Sequence, residues 1–263
     1  MLRIGYYQFR PSFGALSRNL AKVSTALASV AADIIVLPEL AFTGYYFKDR
    51  RELLGLAEDP ADSPTIAALT ALCRRQDFFV VTGFAERSKD KAFNSALLIG
   101  PDGLVATYRK LHLFNEEKNN FDPGDLPLAV QTVRGAKIGM MVCFDWAFPE
   151  VARSLALQGA QVLCHPSNLV LTFCQDAMKT RCIENRVFAV TTNRYGADIR
   201  PQGTLKFTGQ SQIVAPGGKL IVKAPAQRSA LEIAEIDPAL ANNKEITALN
   251  DVITDRRPEF YIR

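Results

Sequence analysis

Three side chains able to do acyl-transfer chemistry close apolar, strand-like runs of this sequence. Glu39 follows Asp33-Ile-Ile-Val-Leu-Pro38, Lys110 follows Leu104-Val-Ala-Thr-Tyr-Arg109, and Cys143 follows Lys137-Ile-Gly-Met-Met-Val142. In α/β proteins, side chains at the C-terminal ends of strands converge on one crevice, so residues far apart in sequence can share a site. The three types are chemically complementary. A carboxylate can take a thiol proton, an ammonium can stabilise the oxyanion formed at an attacked carbonyl, and a cysteine can carry the acyl group as a thioester. Cys143 sits where a strand gives way to a helix that opens near Pro149-Glu150. A cysteine facing the amide-rich start of a helix is expected to gain thiolate character.

The elements that must hold these groups can be read from periodicity. Residues 2–8 and 33–38 read as strands, and Leu16, Leu20, Val23, Leu27 and Val30 between them mark one apolar helical face. Ser63-Pro64 supplies an N-cap and first-turn proline for a helix over 64–75, followed by a strand over 78–84. Gly100-Pro-Asp-Gly103 between two apolar runs reads as the turn of a hairpin over 92–110. A strand over 136–142, a helix over 149–158, a strand over 160–164, a helix over 172–186 and a strand over 187–193 follow, and then strands alternate with tight turns through 209–236. Strand-helix-strand order interrupted by hairpins predicts a layered α/β sandwich with mixed rather than purely parallel sheets and helices on the outer faces.

Composition bounds the function. The chain has 263 residues, enough for one large domain, and no linker-like stretch divides it. The apolar fraction is 48% and the charged fraction 22%, as in an ordinary globular protein, and no apolar run approaches the ~20 residues that cross a bilayer. Basic residues are interleaved with acids, as in Glu86-Arg-Ser-Lys-Asp-Lys91, so the net charge of +4 reads as a solvated surface rather than a nucleic-acid footprint. Residues 1–8 read as a first core strand and not as a targeting segment, and the five irregularly spaced cysteines form neither a disulfide framework nor a C-x-x-C zinc site. A reducing cytoplasmic setting is expected, with no metal or organic cofactor.

Plainer roles compete at several positions. His112 and His165 are the only candidate bases for a papain-like cysteine–histidine pair, and both have simpler structural readings. Gly209-Gln-Ser211-Gln212 lacks the last glycine of a serine nucleophile elbow. Asp145 and Glu150 read as supports for the turn and helix after Cys143, and Arg181, Glu184 and Asn185 as a salt-bridged brace. Tyr45, Trp146, Asn168 and Tyr195 offer rings and polar tips to a small-ligand pocket, or could simply pack.

At these residues the chain resembles the nitrilase superfamily, the carbon–nitrogen hydrolases with a Glu-Lys-Cys triad. Pro38-Glu-Leu-Ala-Phe-Thr-Gly44-Tyr45 resembles its glutamate segment, Tyr108-Arg-Lys-Leu-His-Leu-Phe114 its lysine segment, and Cys143-Phe-Asp-Trp-Ala-Phe-Pro-Glu150 its nucleophile segment. Asn94-Ser-Ala, His165-Pro-Ser-Asn168 and Arg181-Cys-Ile-Glu-Asn-Arg186 add three further matches in order. The resemblance implies a four-layer αββα sandwich over one domain, 1–263, with a tail of about 248–263 that contributes to homodimer contacts. It implies Glu39 as general base and acid, Lys110 as oxyanion ligand, Cys143 as nucleophile, the backbone N–H of Phe144 as a second oxyanion donor, and a second glutamate. Glu116 and Glu117 both fall in the right place for that glutamate, and the spacing to Lys110 and Phe121-Asp-Pro-Gly124 favours Glu117. The implied substrate is a small, mainly aliphatic amide, with a nitrile or an N-carbamoyl compound as the alternative. A noncatalytic binding or assembly relative is the reading from another class, and the intact triad residues argue against it.

Overall fold

The computed structural model describes residues 1–261. The chain opens with β1 (Leu2–Gln8), α1 (Leu16–Ala26), β2 (Ile34–Val36), α2 (Arg50–Leu56) and α3 (Pro64–Gln76), then runs through the antiparallel strands β3 (Phe79–Ser88), β4 (Lys91–Gly100) and β5 (Gly103–Arg109). A short helix, α4 (Glu117–Asn120), leads to the second half: β6 (Val130–Val133), β7 (Ala136–Met140), α5 (Pro149–Leu157), β8 (Val162–Pro166), α6 (Cys174–Asn185) and β9 (Phe188–Thr192). A two-stranded hairpin of β10 (Tyr195–Arg200) and β11 (Gly203–Thr208) precedes β12 (Gln212–Val214), β13 (Leu220–Lys223) and β14 (Ala230–Ile236).

Two six-stranded mixed sheets result, ordered β14-β1-β2-β3-β4-β5 and β13-β12-β9-β8-β7-β6. Each has a parallel trio, β1-β2-β3 or β7-β8-β9, flanked by antiparallel pairs. Alternation explains the layering. Ile34 and Val36 point between the sheets and pack in one core with Ile138, Val162, Cys164 and Val190, whereas Ile35 and Leu37 point outward onto Val23, Leu27, Leu69 and Leu72 of the α1–α3 layer. Burying such a side chain fully stabilises by roughly 1.5–3 kcal/mol, and because β2 is apolar on both faces it contributes to both cores at once. On the other sheet α5 and α6 cover the outer face, where Leu155 of α5 packs within 3.1 Å of the place a Cβ at Gly139 would take. The four-layer sandwich expected from the resemblance is the fold observed, and no helix among the described residues is long and apolar enough to cross a membrane.

Most strands and helices fall within a few residues of their expected positions. The Ser63 hydroxyl accepts from the N–H of Ile66 with Pro64 in the first turn, as its sequence indicates. The expected run through Val30 is shorter, since α1 ends at Ala26. The β10–β11 hairpin and α2 were not read from the sequence: α2 is only seven residues long, and although Leu205 and Phe207 alternate with Thr204, Lys206 and Thr208 in β11, its partner β10 (Tyr195–Arg200) is mostly polar and partly exposed.

Candidate active site

Glu39, Lys110 and Cys143 lie just beyond β2, β5 and β7 and meet where the two sheets face each other. Two glycines permit this. A Cβ at Gly83 would lie 2.2 Å from Cα of Glu39, and one at Gly124 would lie 2.1 Å from the carbonyl oxygen of Arg109, so Gly83 lets β3 and Gly124 lets the loop after α4 approach the backbone at the functional residues. Lys110 is further pinned through its main chain, its N–H donating to Asn94 O (2.8 Å) and its carbonyl accepting from Gly124 N–H (2.9 Å). Asn168, beyond β8, donates its side-chain N–H to the carbonyl of Glu39 at 2.9 Å and thereby ties the two sheets together at the site.

The charges are arranged as one cation between two carboxylates. Lys110 Nζ donates to Glu39 Oε1 at 2.7 Å and to Glu117 Oε1 at 2.8 Å, and the Lys110 and Glu39 side chains are wholly buried. Glu39 Oε1 also accepts from Asn94 Nδ2 at 2.7 Å, while Glu39 Oε2 has no partner. Glu117 is completed by Tyr45, whose hydroxyl donates to Oε1 at 2.6 Å, and by the N–H of Phe114 on Oε2 at 3.1 Å. Burial alone would pull the Lys110 ammonium down, but Glu117 and Glu39 outweigh it and hold Lys110 above its usual range. Burial pushes the Glu39 carboxyl up, the Lys110 charge opposes that rise, and the like charge of Glu117 adds to it, leaving Glu39 above its usual range. An ammonium has three donors, and two are spent on carboxylates.

Cys143 opens a short 3-10 turn, Cys143–Ala147, in left-handed backbone at φ 41°. A side-chain-bearing residue there is strained, and such strain persists only where surroundings over-determine it. Buried Asp145 accepts from the N–H of Val142 (2.8 Å), the hydroxyl of Tyr108 (2.7 Å) and Nδ1 of His112 (2.8 Å), locking the turn from one side. From the other, Nε2 of His165 donates to the carbonyl of Cys143 at 2.9 Å. A carbonyl can only accept, so His165 carries its proton on Nε2, and Nδ1 takes the Thr191 hydroxyl at 3.2 Å. Burial lowers the His165 imidazole to about 4, which keeps it neutral.

The expected thiolate character of Cys143 is corrected by this environment. Burial pushes the thiol well above its usual 9.0, Glu39 and Glu117 push the same way, and Lys110 offsets only part. The helix α5 starts six residues on, and two nearby carboxylates disfavour another negative charge. Burial and the two carboxylates thus favour the thiol over the thiolate at rest, and one oxygen of Glu39 is left without a hydrogen bond.

The remaining expected residues sort by geometry. Phe144, Trp146 and Asn168 line a narrow cleft with Cys143, bounded also by Phe114 and Val170. Tyr45 and Glu117 line an adjoining cleft that shares Phe114 and Val170. Glu116 is exposed, whereas Glu117 is buried against Lys110. Glu150 is also exposed, in the first turn of α5. Tyr195 is not at this site: it lines a separate cleft with Tyr7 and Ser229. His112 stacks on Phe148 with centroids 3.5 Å apart and binds Asp145, so neither histidine contacts the sulfur in the papain manner. Arg181 pairs with Glu184 and donates to the carbonyl of Trp146 at 3.2 Å, a brace for the turn. Asn94 and the His165 bond to Cys143 had no assigned role from sequence, since both depend on contacts between distant strands. Among the described residues no cluster of three or more His, Cys, Asp or Glu could hold a metal ion.

Comparison with known proteins identifies the family. A family model described as carbon–nitrogen hydrolase matches residues 3–244. The chain is 40% identical to a nitrilase of Pyrococcus abyssi over the full length of both, and 32% identical to an (R)-stereoselective amidase of a Pseudomonas species, covering 97% of this chain and 92% of that one. Among solved structures, a carbon–nitrogen hydrolase from Helicobacter pylori superposes with a TM-score of 0.87 at 25% identity, covering 99% of this chain and 96% of the other.

Proposed function

This chain belongs to the carbon–nitrogen hydrolase family, the nitrilase superfamily, and from that premise we propose that it hydrolyses a small, mainly aliphatic amide through a thioester on Cys143. The observation that carries the reading is Lys110 bridging Glu39 and Glu117 while Glu39 Oε2 is left without a partner. A buried carboxylate oxygen with no hydrogen bond is costly unless it has a task, and here that task is to receive a proton.

Glu39 takes the Cys143 proton as the sulfur adds to the amide carbon. The oxyanion is met by the third N–H of Lys110 and the backbone N–H of Phe144. Glu39 returns the proton to the departing nitrogen as the carbon–nitrogen bond breaks, leaving a thioester and free ammonia or amine. Glu39 then deprotonates water, which adds to the thioester, and collapse releases the carboxylic acid and restores the thiol. Because Cys143 rests as a thiol, proton transfer and attack are coupled, and the raised Glu39 pKa suits a group that must both take and give a proton. Glu117, held by Lys110 and Tyr45, orients the ammonium and bounds the side where water or leaving group sits.

The room beside the sulfur, about 10 Å³, is near that of one water, so Phe114, Phe144 or Trp146 must shift to admit a substrate, and a slim acyl group is favoured. The nitrile reading is kept because the 40% identical Pyrococcus abyssi relative is a nitrilase. The whole chain acts as one domain, and its tail, with Leu249 91% and Phe260 69% exposed, serves a homodimer contact. The five unpaired cysteines suit a reducing cytoplasm.

Incubation with paired aliphatic amides and nitriles, with ammonia release and intact mass followed together, tests this. The expected result is ammonia from an amide and an acyl adduct on Cys143. Turnover of nitriles beside inert amides would shift the assignment to the nitrilase reading, and silence across amides, nitriles and N-carbamoyl compounds would remove the catalytic one.

A further inference from the structure

We propose that the cleft between the β10–β11 hairpin and residues 9–13 is a second binding site, for a small organic anion carrying a phosphate or carboxylate. It has a volume of about 590 Å³, within the range of small-molecule pockets, and shares no lining residue with the clefts at Cys143 and Glu117.

Its charge is uncompensated. Arg10 donates Nη2 to the carbonyl of Ala197 at 2.9 Å, and Lys22 donates Nζ to the carbonyl of Arg10 at 3.1 Å. Both cations are thus positioned by backbone dipoles, and neither forms an ion pair among the described residues. Asp198, the carboxylate in the wall, is consumed by Arg194 through bonds of 2.9 and 2.8 Å, and Arg200 by Glu52. Lys22 is pulled below its usual range by burial and by the positive charges of Arg18, Arg10 and Arg194, a repulsion that a bound anion relieves. The far end is different in kind: the hydroxyls of Tyr195 and Ser229 lie 3.3 Å apart, and Tyr7 shares Ser229. An oxyanion fits the cationic end through charge-assisted hydrogen bonds, and a hydroxyl-bearing body fits the other.

Calorimetric titration of the full chain at low ionic strength with glucose 6-phosphate, inorganic phosphate and citrate tests the site. The expected result is saturable one-to-one binding of glucose 6-phosphate or citrate. It should weaken about tenfold or more in Arg10→Gln and in Lys22→Gln and persist in Cys143→Ala, with each variant's melting temperature confirming its fold. Binding of glucose 6-phosphate and inorganic phosphate without citrate would assign a phosphate ligand; citrate alone would assign a carboxylate. Ser229→Ala should weaken glucose 6-phosphate and spare inorganic phosphate. No saturable binding of any probe, affinity unchanged in both cation variants, or loss of binding in Cys143→Ala would overturn the proposal. Binding is read without turnover, so its failure is distinct from failure of the amidase reading.

Discussion

Two fully buried cations, Lys110 and Arg194, solve the same electrostatic problem in opposite ways. Arg194 meets one carboxylate, Asp198, through two parallel bonds and reaches neutrality. Lys110 meets two carboxylates, so its surroundings carry a surplus negative charge and an oxygen with no partner. The pKa directions follow: burial pulls Arg194 below its usual range despite Asp198, whereas at Lys110 the two carboxylates overcome burial. The Arg194 pair is balanced in charge, although its Nε also lacks a partner, whereas the Lys110 cluster sets two carboxylates against one cation, the imbalance that the proposed mechanism uses to move a proton. The two are physically linked, because Arg194 lies over Phe207 at 4.1 Å, Phe207 packs edge-on against Tyr45, and Tyr45 binds Glu117.

This contrast is sharpened by variants with opposite signatures. The largest effect belongs to Cys143→Ala, which should lower kcat for ammonia release by about 10⁴-fold or more while leaving the urea midpoint near the parent value. Glu39→Gln should lower kcat by about 10²–10⁴-fold. It removes surplus charge, so stability at pH 8 should hold or rise; turnover within a few-fold of the parent would show that Glu39 is not the base. Lys110→Met should cost about 10²–10³-fold in kcat and also about 3–5 kcal/mol in urea unfolding, because two buried carboxylates then face each other unneutralised.

Asp198→Asn should cost a similar 3–5 kcal/mol by stranding Arg194, with kcat per folded molecule within about twofold of the parent. A catalytic loss as large as its stability loss would erase the distinction between scaffold and triad. The smallest expected effect is in pH dependence. Glu39 must be ionised to act, and its folded pKa lies above the usual 4.5, so the acid limb of kcat/KM should fall at a pH above that value. The same raised pKa means that the stability Glu39 contributes is complete below pH 4.5 and lost as pH rises through its folded value, and Glu39→Gln should flatten that part of the profile.

Much of this was legible because it rests on local pattern. Ser63-Pro64, the apolar runs and the Gly100-Pro-Asp-Gly103 turn each produced the expected element, and each triad candidate stood at the end of such a run. Glu117 over Glu116 was favoured by the family resemblance rather than by local pattern, and Glu117 is the one buried against Lys110. What escaped was nonlocal. The hairpin carrying Tyr195 is held by partners on distant elements, so nothing in its own residues showed that Tyr195 faces away from Cys143. The ionisation state of Cys143 was misjudged for a related reason: the strand-to-helix setting favours a thiolate, but burial and two carboxylates from elsewhere in the chain, Glu39 after β2 and Glu117 in α4, act against it.

The amino-acid order by itself determined most of the secondary elements, the mixed rather than parallel character of the sheets, and which side chains stand at the strand ends, since these follow from local sterics and from hydrophobic periods of two and 3.6 residues. Only the tertiary structure decided the protonation of Cys143, the unpartnered oxygen of Glu39, the neutral His165 behind the strained turn and the uncompensated charge of Arg10 and Lys22. Each of those is a sum of burial and Coulomb interactions over groups far apart in the chain, and that sum is defined only once the sheets have met.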